Sequence, residues 1–148
     1  MKTALITGTN RGIGLEFVRQ YAKDGWRVFA CCRNPVTAEA LNRLAAQYPD
    51  QITVHPLDVT SHHQIEQLSQ ALSNQAIDLL INNAGVYPPE HGDSFGTTDY
   101  AAWSYSLAVN TMAPLRMGEA FSQQICTSQQ KTIITITSKM GSIADNRG

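Results

Sequence analysis

The stretch Thr7-Gly8-Thr9-Asn10-Arg11-Gly12-Ile13-Gly14 lies between an apolar run, Thr3-Ala4-Leu5-Ile6, and a helix-like segment opening Leu15-Glu16-Phe17-Val18. The order reads strand, glycine-rich turn, helix. Such a turn aims free backbone N–H groups at the positive end of a helix and suits a phosphate. Glycines 8, 12 and 14 let the backbone bend tightly and approach a pyrophosphate with no Cβ in the way. Three residues rather than one separate the first two glycines, so the spacing departs from the usual dinucleotide fingerprint. A glycine-rich turn without a ligand is the bland alternative.

Beyond the turn, short apolar runs alternate with amphipathic segments, as in parallel α/β architecture. Strands are expected at Thr3–Thr7, Arg27–Cys31, Gln51–Pro56, Asp78–Asn82 and Lys131–Ser138. The first helix is expected over Gly12–Asp24, with Ile13, Phe17 and Tyr21 inward and Gly25 closing it. Thr37 is a candidate cap for a helix through Gln47 that buries Leu41, Leu44 and Ala45. Ser61 is a candidate cap for the next, burying Ile65, Leu68 and Leu72. A loop from Val86 to Thr98, with Tyr87 and Phe95, has the position of a substrate-pocket wall. A helix from Asp99 to about Gln124 would bury Trp103, Leu107, Met117 and Phe121 and bend at Pro114. Right-handed crossovers give the order 3-2-1-4-5, a doubly wound parallel sheet of Rossmann type that stops after the fifth strand. Thr7, Cys32, Asp58, Asn82 and Ser138 then converge at the strand ends.

With 148 residues, the chain reads as one dinucleotide-binding domain, residues 1–148. A net charge of −1 provides no electrostatic argument for nucleic acid or an anionic membrane. No apolar run is long enough to cross a bilayer, and the three cysteines do not form a disulfide pattern, so the expected setting is a reduced cytoplasm. Four histidines without ligand spacing give no metal site, and His62 and His63 read as solvated surface.

An NAD site places a carboxylate at the end of the second strand; here the sequence is Cys31-Cys32-Arg33-Asn34. A carboxylate would repel a 2′-phosphate, whereas a guanidinium grips it with two charge-assisted hydrogen bonds. Arg33, with Arg11 in the turn, therefore favours NADP(H) over NAD(H). The alternative for Arg33 is ordinary solvated surface.

These stretches, with Leu57-Asp58-Val59, Asn82-Asn83-Ala84-Gly85, Val109-Asn110-Thr111 and Thr135-Ile136-Thr137-Ser138, resemble the short-chain dehydrogenase/reductase family. Arg-Gly-Ile-Gly-Leu-Glu-Phe followed by Cys-Arg-Asn-Pro is similar to its carbonyl reductase and C-factor-like branch. The resemblance implies hydride transfer between a nicotinamide and a small carbonyl or alcohol substrate. It implies that Gly8, Asn10, Arg11, Gly12, Ile13, Gly14, Arg33, Asp58, Val59, Asn83, Ala84 and Gly85 hold the cofactor, Asp58 beside the adenine amino group. It implies that Ser138 binds the substrate carbonyl and that Asn110 holds a water in a proton relay. Thr137 is the neighbouring candidate for Ser138, and a helix-bend amide bonded to backbone is the other reading of Asn110.

The family's proton donor, a tyrosine with a lysine four residues later, has no counterpart in these residues. Tyr21, Tyr48, Tyr87, Tyr100 and Tyr105 all lack that lysine. A chain without its general acid is expected to be inactive, since such a loss typically costs ~10²–10⁴-fold in rate. The sequence is therefore expected to be part of a longer protein; the resemblance implies pairing through the fourth and fifth helices, but the fifth is missing here and the oligomeric state stays open. The other reading is a short product whose fifth-strand edge a partner covers. A non-catalytic dinucleotide-binding module with a sensing or C-factor-like signalling role is the alternative function.

Overall fold

The structure, a computed structural model, describes residues 1–87 and 96–145. Phe95 and the adjoining part of the expected 86–98 loop lie outside the described residues. Five strands, β1 (Thr3–Thr7), β2 (Arg27–Cys32), β3 (Ile52–Pro56), β4 (Leu79–Asn82) and β5 (Thr132–Thr135), form one parallel sheet. The order is β3-β2-β1-β4-β5, as the crossovers require.

Successive side chains on a strand point to opposite faces, so each central strand feeds two cores. Leu5, Phe29, Cys31 and Leu80 pack on one face against Ile65 and Leu68 of α3 (His62–Ala71) and Met117 of α5 (Ala113–Ala120). Ile6, Ala30, Cys32 and Ile81 pack on the other against Val18 of α1 (Gly12–Lys23) and Leu41 of α2 (Glu39–Gln47). Cys31 and Cys32 therefore turn away from each other, and both are free thiols. Of two further helices, α6 (Ser122–Cys126) adds Ile125 to the first face, and α4 (Tyr100–Leu107) precedes the turn that adds Val109.

Several details depart from the sequence reading. The buried face of α1 is Gly14, Val18 and Ala22, while Ile13 is 62% exposed and Phe17 and Tyr21 are half-buried. Thr37 caps nothing: Pro35–Thr37 is a turn of 3₁₀ helix that defers α2 to Glu39. Proline there fixes φ for the short turn first. The expected helix from Asp99 to Gln124 is broken by a π turn at Ala108–Met112, just before Pro114, and again at Phe121. The extra residue of that turn rotates the helix phase. Trp103 and Leu107 accordingly face outward, whereas Met117 and Phe121 are fully buried.

The fifth strand ends at Thr135 rather than Ser138, although the Ile136 N–H still donates to the Asn82 carbonyl at 2.9 Å. Asp78 precedes β4 and is buried; its carboxylate accepts the Thr3 N–H at 2.9 Å and the Gln130 N–H at 3.3 Å. It thereby joins the start of β1 to the approach to β5.

Candidate functional site

The carboxyl ends of β1 and β4 are bonded together beneath the glycine turn. Thr7 Oγ1 accepts the N–H groups of Asn83 (3.1 Å) and Ala84 (3.0 Å) and donates to the Ile81 carbonyl (3.4 Å). Asn83 Nδ2 donates back to the carbonyls of Thr7 (3.0 Å) and Gly8 (3.1 Å). On the other side, Thr9 donates to the Cys31 carbonyl through both N–H (3.1 Å) and Oγ1 (3.0 Å). Buried polar groups need partners, and here each strand end supplies the other's.

Two of the three glycines are fixed by space. A Cβ on Gly14 would lie 2.2 Å from the Gly8 carbonyl oxygen and 2.5 Å from Asn83 Nδ2. One on Gly8, at φ +70°, would meet Ala84 Cα at 2.8 Å. Gly12 differs: at φ +58° it is shaped for glycine, yet nothing described lies within 4 Å of its Cβ position.

Helix ends leave unsatisfied N–H groups that a side chain normally caps. Ser61 caps α3 and Asp99 caps α4, whereas among the described residues no side chain caps α1 or α2; α2 carries Glu39 in its first turn, and α1 has no acidic residue there. The first three residues of α1 line a cleft of about 470 Å³ at the sheet's carboxyl edge. All the predicted cofactor contacts meet there: Gly8, Asn10, Arg11, Gly12, Ile13, Gly14, Arg33, Asp58, Val59, Asn83, Ala84 and Gly85. An uncapped helix start, an open glycine and a cation-bearing rim are the features a dinucleotide phosphate requires.

At the rim, Arg33 Nη1 donates to the Tyr105 hydroxyl at 3.0 Å, linking the end of β2 to α4. Asp58 Oδ1 accepts from the N–H (2.9 Å) and hydroxyl (2.7 Å) of Thr60, which fixes the carboxylate at the end of β3. Arg11 and Arg33 also border a second groove of about 520 Å³ with Arg43 of α2. Cys32 lines the cleft at the sheet's carboxyl edge, and burial pushes its thiol pKa up, away from the reactive thiolate.

Asn110 and Ser138 are not part of this cleft wall. Asn110 lies in the π turn, where its amide accepts the Val86 N–H at 2.9 Å and donates to the Val86 carbonyl at 2.8 Å. Ser138 is exposed beyond the end of β5, its carbonyl accepting the Gly141 N–H at 3.0 Å. Sequence reasoning missed Tyr105 and Arg43 because neither belongs to a motif; the folded chain alone brings them to the rim and to the neighbouring groove. Among the described residues no group of three His, Cys, Asp or Glu side chains is placed to hold a metal, and no helix is long and apolar enough to cross a membrane.

Fold and cleft together define a doubly wound α/β protein with its site at the winding reversal. The chain belongs to the short-chain dehydrogenase family, whose model, described as "short chain dehydrogenase", matches residues 2–147. An uncharacterized oxidoreductase of Schizosaccharomyces pombe is 30% identical over 99% of this chain and 58% of its own length. A (+)-neomenthol dehydrogenase of Arabidopsis thaliana is 29% identical over 95% of this chain and 54% of its own. A carbonyl reductase of Pseudomonas aeruginosa, solved in complex with NADP, superposes with TM-score 0.89 at 31% identity, covering 97% of this chain and 64% of that one. An NADPH-bound carbonyl reductase from chicken fatty liver superposes with TM-score 0.85 at 32% identity, covering 98% and 62%. The chain thus spans between half and two thirds of the length of these relatives.

Proposed function

We propose that residues 1–148 form the dinucleotide-binding part of an NADP(H)-dependent oxidoreductase acting on a carbonyl or alcohol. The observation that carries this reading is the rim of the cleft, where Arg33 stands at the end of β2 in place of a carboxylate, with Arg11 beside the uncapped start of α1. The N–H groups of Gly12, Ile13 and Gly14 would take the pyrophosphate, and Arg33 and Arg11 the 2′-phosphate. Asp58 and Val59 would frame the adenine, and Asn83, Ala84 and Gly85 would line the nicotinamide side. When bound, NADP(H) supplies or accepts the hydride.

Ser138 would hydrogen-bond the substrate carbonyl. Asn110 would support the proton relay by holding the Val86 backbone beside the cleft. The 148 residues contain no tyrosine followed four positions on by lysine, so this chain alone is expected to bind the cofactor without turnover. Free cysteines support a reduced, cytoplasmic setting. Pairing between copies in a longer form would use the outward apolar stripe of Trp103, Leu107 and Leu115, which are 55%, 47% and 65% exposed. No specific feature of the described residues favours the sensing alternative.

Titration of the purified chain with NADPH and NADH tests the reading. Arg33→Asp should weaken NADPH binding at least about tenfold and leave NADH binding nearly unchanged. Equal losses for both nucleotides would overturn the NADP(H) assignment.

A further inference from the structure

We infer that Tyr105 is a specificity-determining residue that positions the Arg33 guanidinium for the phosphorylated ribose of the cofactor, an inference that rests on the NADP(H) reading above. Arg33 is exposed and sits on a loop after β2, where a free arginine would sample many rotamers. Its Nη1 is instead held by the Tyr105 hydroxyl at 3.0 Å, and both residues line the same cleft.

The tyrosine is a firm anchor. It has two side-chain torsions, and α4 is fixed at its N-terminus by Asp99, whose Oδ1 accepts the N–H groups of Ala101 and Ala102 at 3.0 Å each. The adjacent Ser106 is buried and donates to the Ala102 carbonyl at 2.9 Å within the same helix. The guanidinium has five N–H donors in a rigid fork. One is used on Tyr105, which fixes one end of the fork while Arg33 lines the cleft. Preorganisation of this kind raises affinity by lowering the ordering cost at binding. Its benefit falls on the nucleotide that carries the 2′-phosphate.

The test measures NADPH and NADH dissociation constants for the unmodified chain, Y105F, R33A and the double variant, with thermal midpoints recorded for each. Phenylalanine keeps the ring and removes the acceptor, so Y105F should weaken NADPH binding about three- to tenfold and leave NADH binding within about twofold. The thermal midpoint should not move, and Y105F should have no further effect once Arg33 is alanine. Unchanged or tighter NADPH binding in Y105F, or equal loss for both nucleotides, would overturn the positioning role while leaving the cofactor reading intact. If the unmodified chain shows no preference for NADPH, the cofactor reading itself fails, and this inference with it.

Discussion

The carboxyl ends of β1 and β4 and the strand β5 are neighbours in one sheet, yet the described residues pack them to different degrees. At the first, Thr7 and Asn83 cross-bond the two strand ends, and two glycines leave no room for a methyl group. At the second, Ile133, Ile134 and Ile136 are 48%, 39% and 37% exposed, and the strand pairs on one side with β4. Tight packing sits where a ligand must be received at fixed geometry. The loose strand is held chiefly by its ladder with β4, so its side chains contribute little to the fold described.

The sharpest way to break this contrast is to add one carbon at its tight end. Gly14→Ala places a Cβ against the Gly8 carbonyl, and overpacking of that severity should cost about 3 kcal/mol in urea unfolding and abolish NADPH binding. A loss under about 1 kcal/mol would show that the α1–β1 contact yields more easily than its geometry implies.

Thr7→Val, nearly isosteric, tests the bonding rather than the packing. It leaves the N–H groups of Asn83 and Ala84 without their acceptor, for an expected cost of about 1–3 kcal/mol. Thr7→Ser should restore most of it. At the loose end, Ile134→Thr should shift stability by no more than about 0.5 kcal/mol, since the site is already open to water. A loss as large as that of Thr7→Val would remove the distinction between the two regions.

The opposite edge, β3, extends the comparison through pH. His55 is half-buried against Phe29, with Nε2 buried and, among the described residues, without a hydrogen-bond partner, and burial lowers its pKa below the ordinary 6.5. The unfolded chain therefore binds the proton more readily, so this contribution is present above about pH 6.5 and is lost as pH falls below it. The urea midpoint should drop slightly more between about pH 7.5 and 5.5 in the native chain than in His55→Phe. Identical pH profiles would mean that His55 titrates alike in both states.

What the sequence revealed and what it hid separate along physical lines. The glycine turn, the strand order and the cleft residues were legible because they depend on local backbone constraints and on crossover handedness. The inward face of α1 was not, because the turn presses the helix close to the sheet, where Gly14, Val18 and Ala22 fit and larger residues are pushed to the margin. The phase of α4 was hidden by the π turn, which no periodicity count over 99–124 contains. Asp78 reads as the first residue of a strand, and only pairing across the sheet shows it serving two other strands. Tyr105 became visible only when β2 and α4 met at the cleft.

The opposed directions of Cys31 and Cys32 carry a consequence for chemical labelling. Their thiols are adjacent in the chain but separated by the thickness of the sheet, and burial raises both pKa values. Neither can close onto the other without dismantling β2, and neither is a ready nucleophile as folded. Cys126 is exposed. A thiol reagent should therefore modify Cys126 promptly and reach Cys31 at the rate at which the sheet opens, making Cys31 a built-in clock for the unfolding of the central strands.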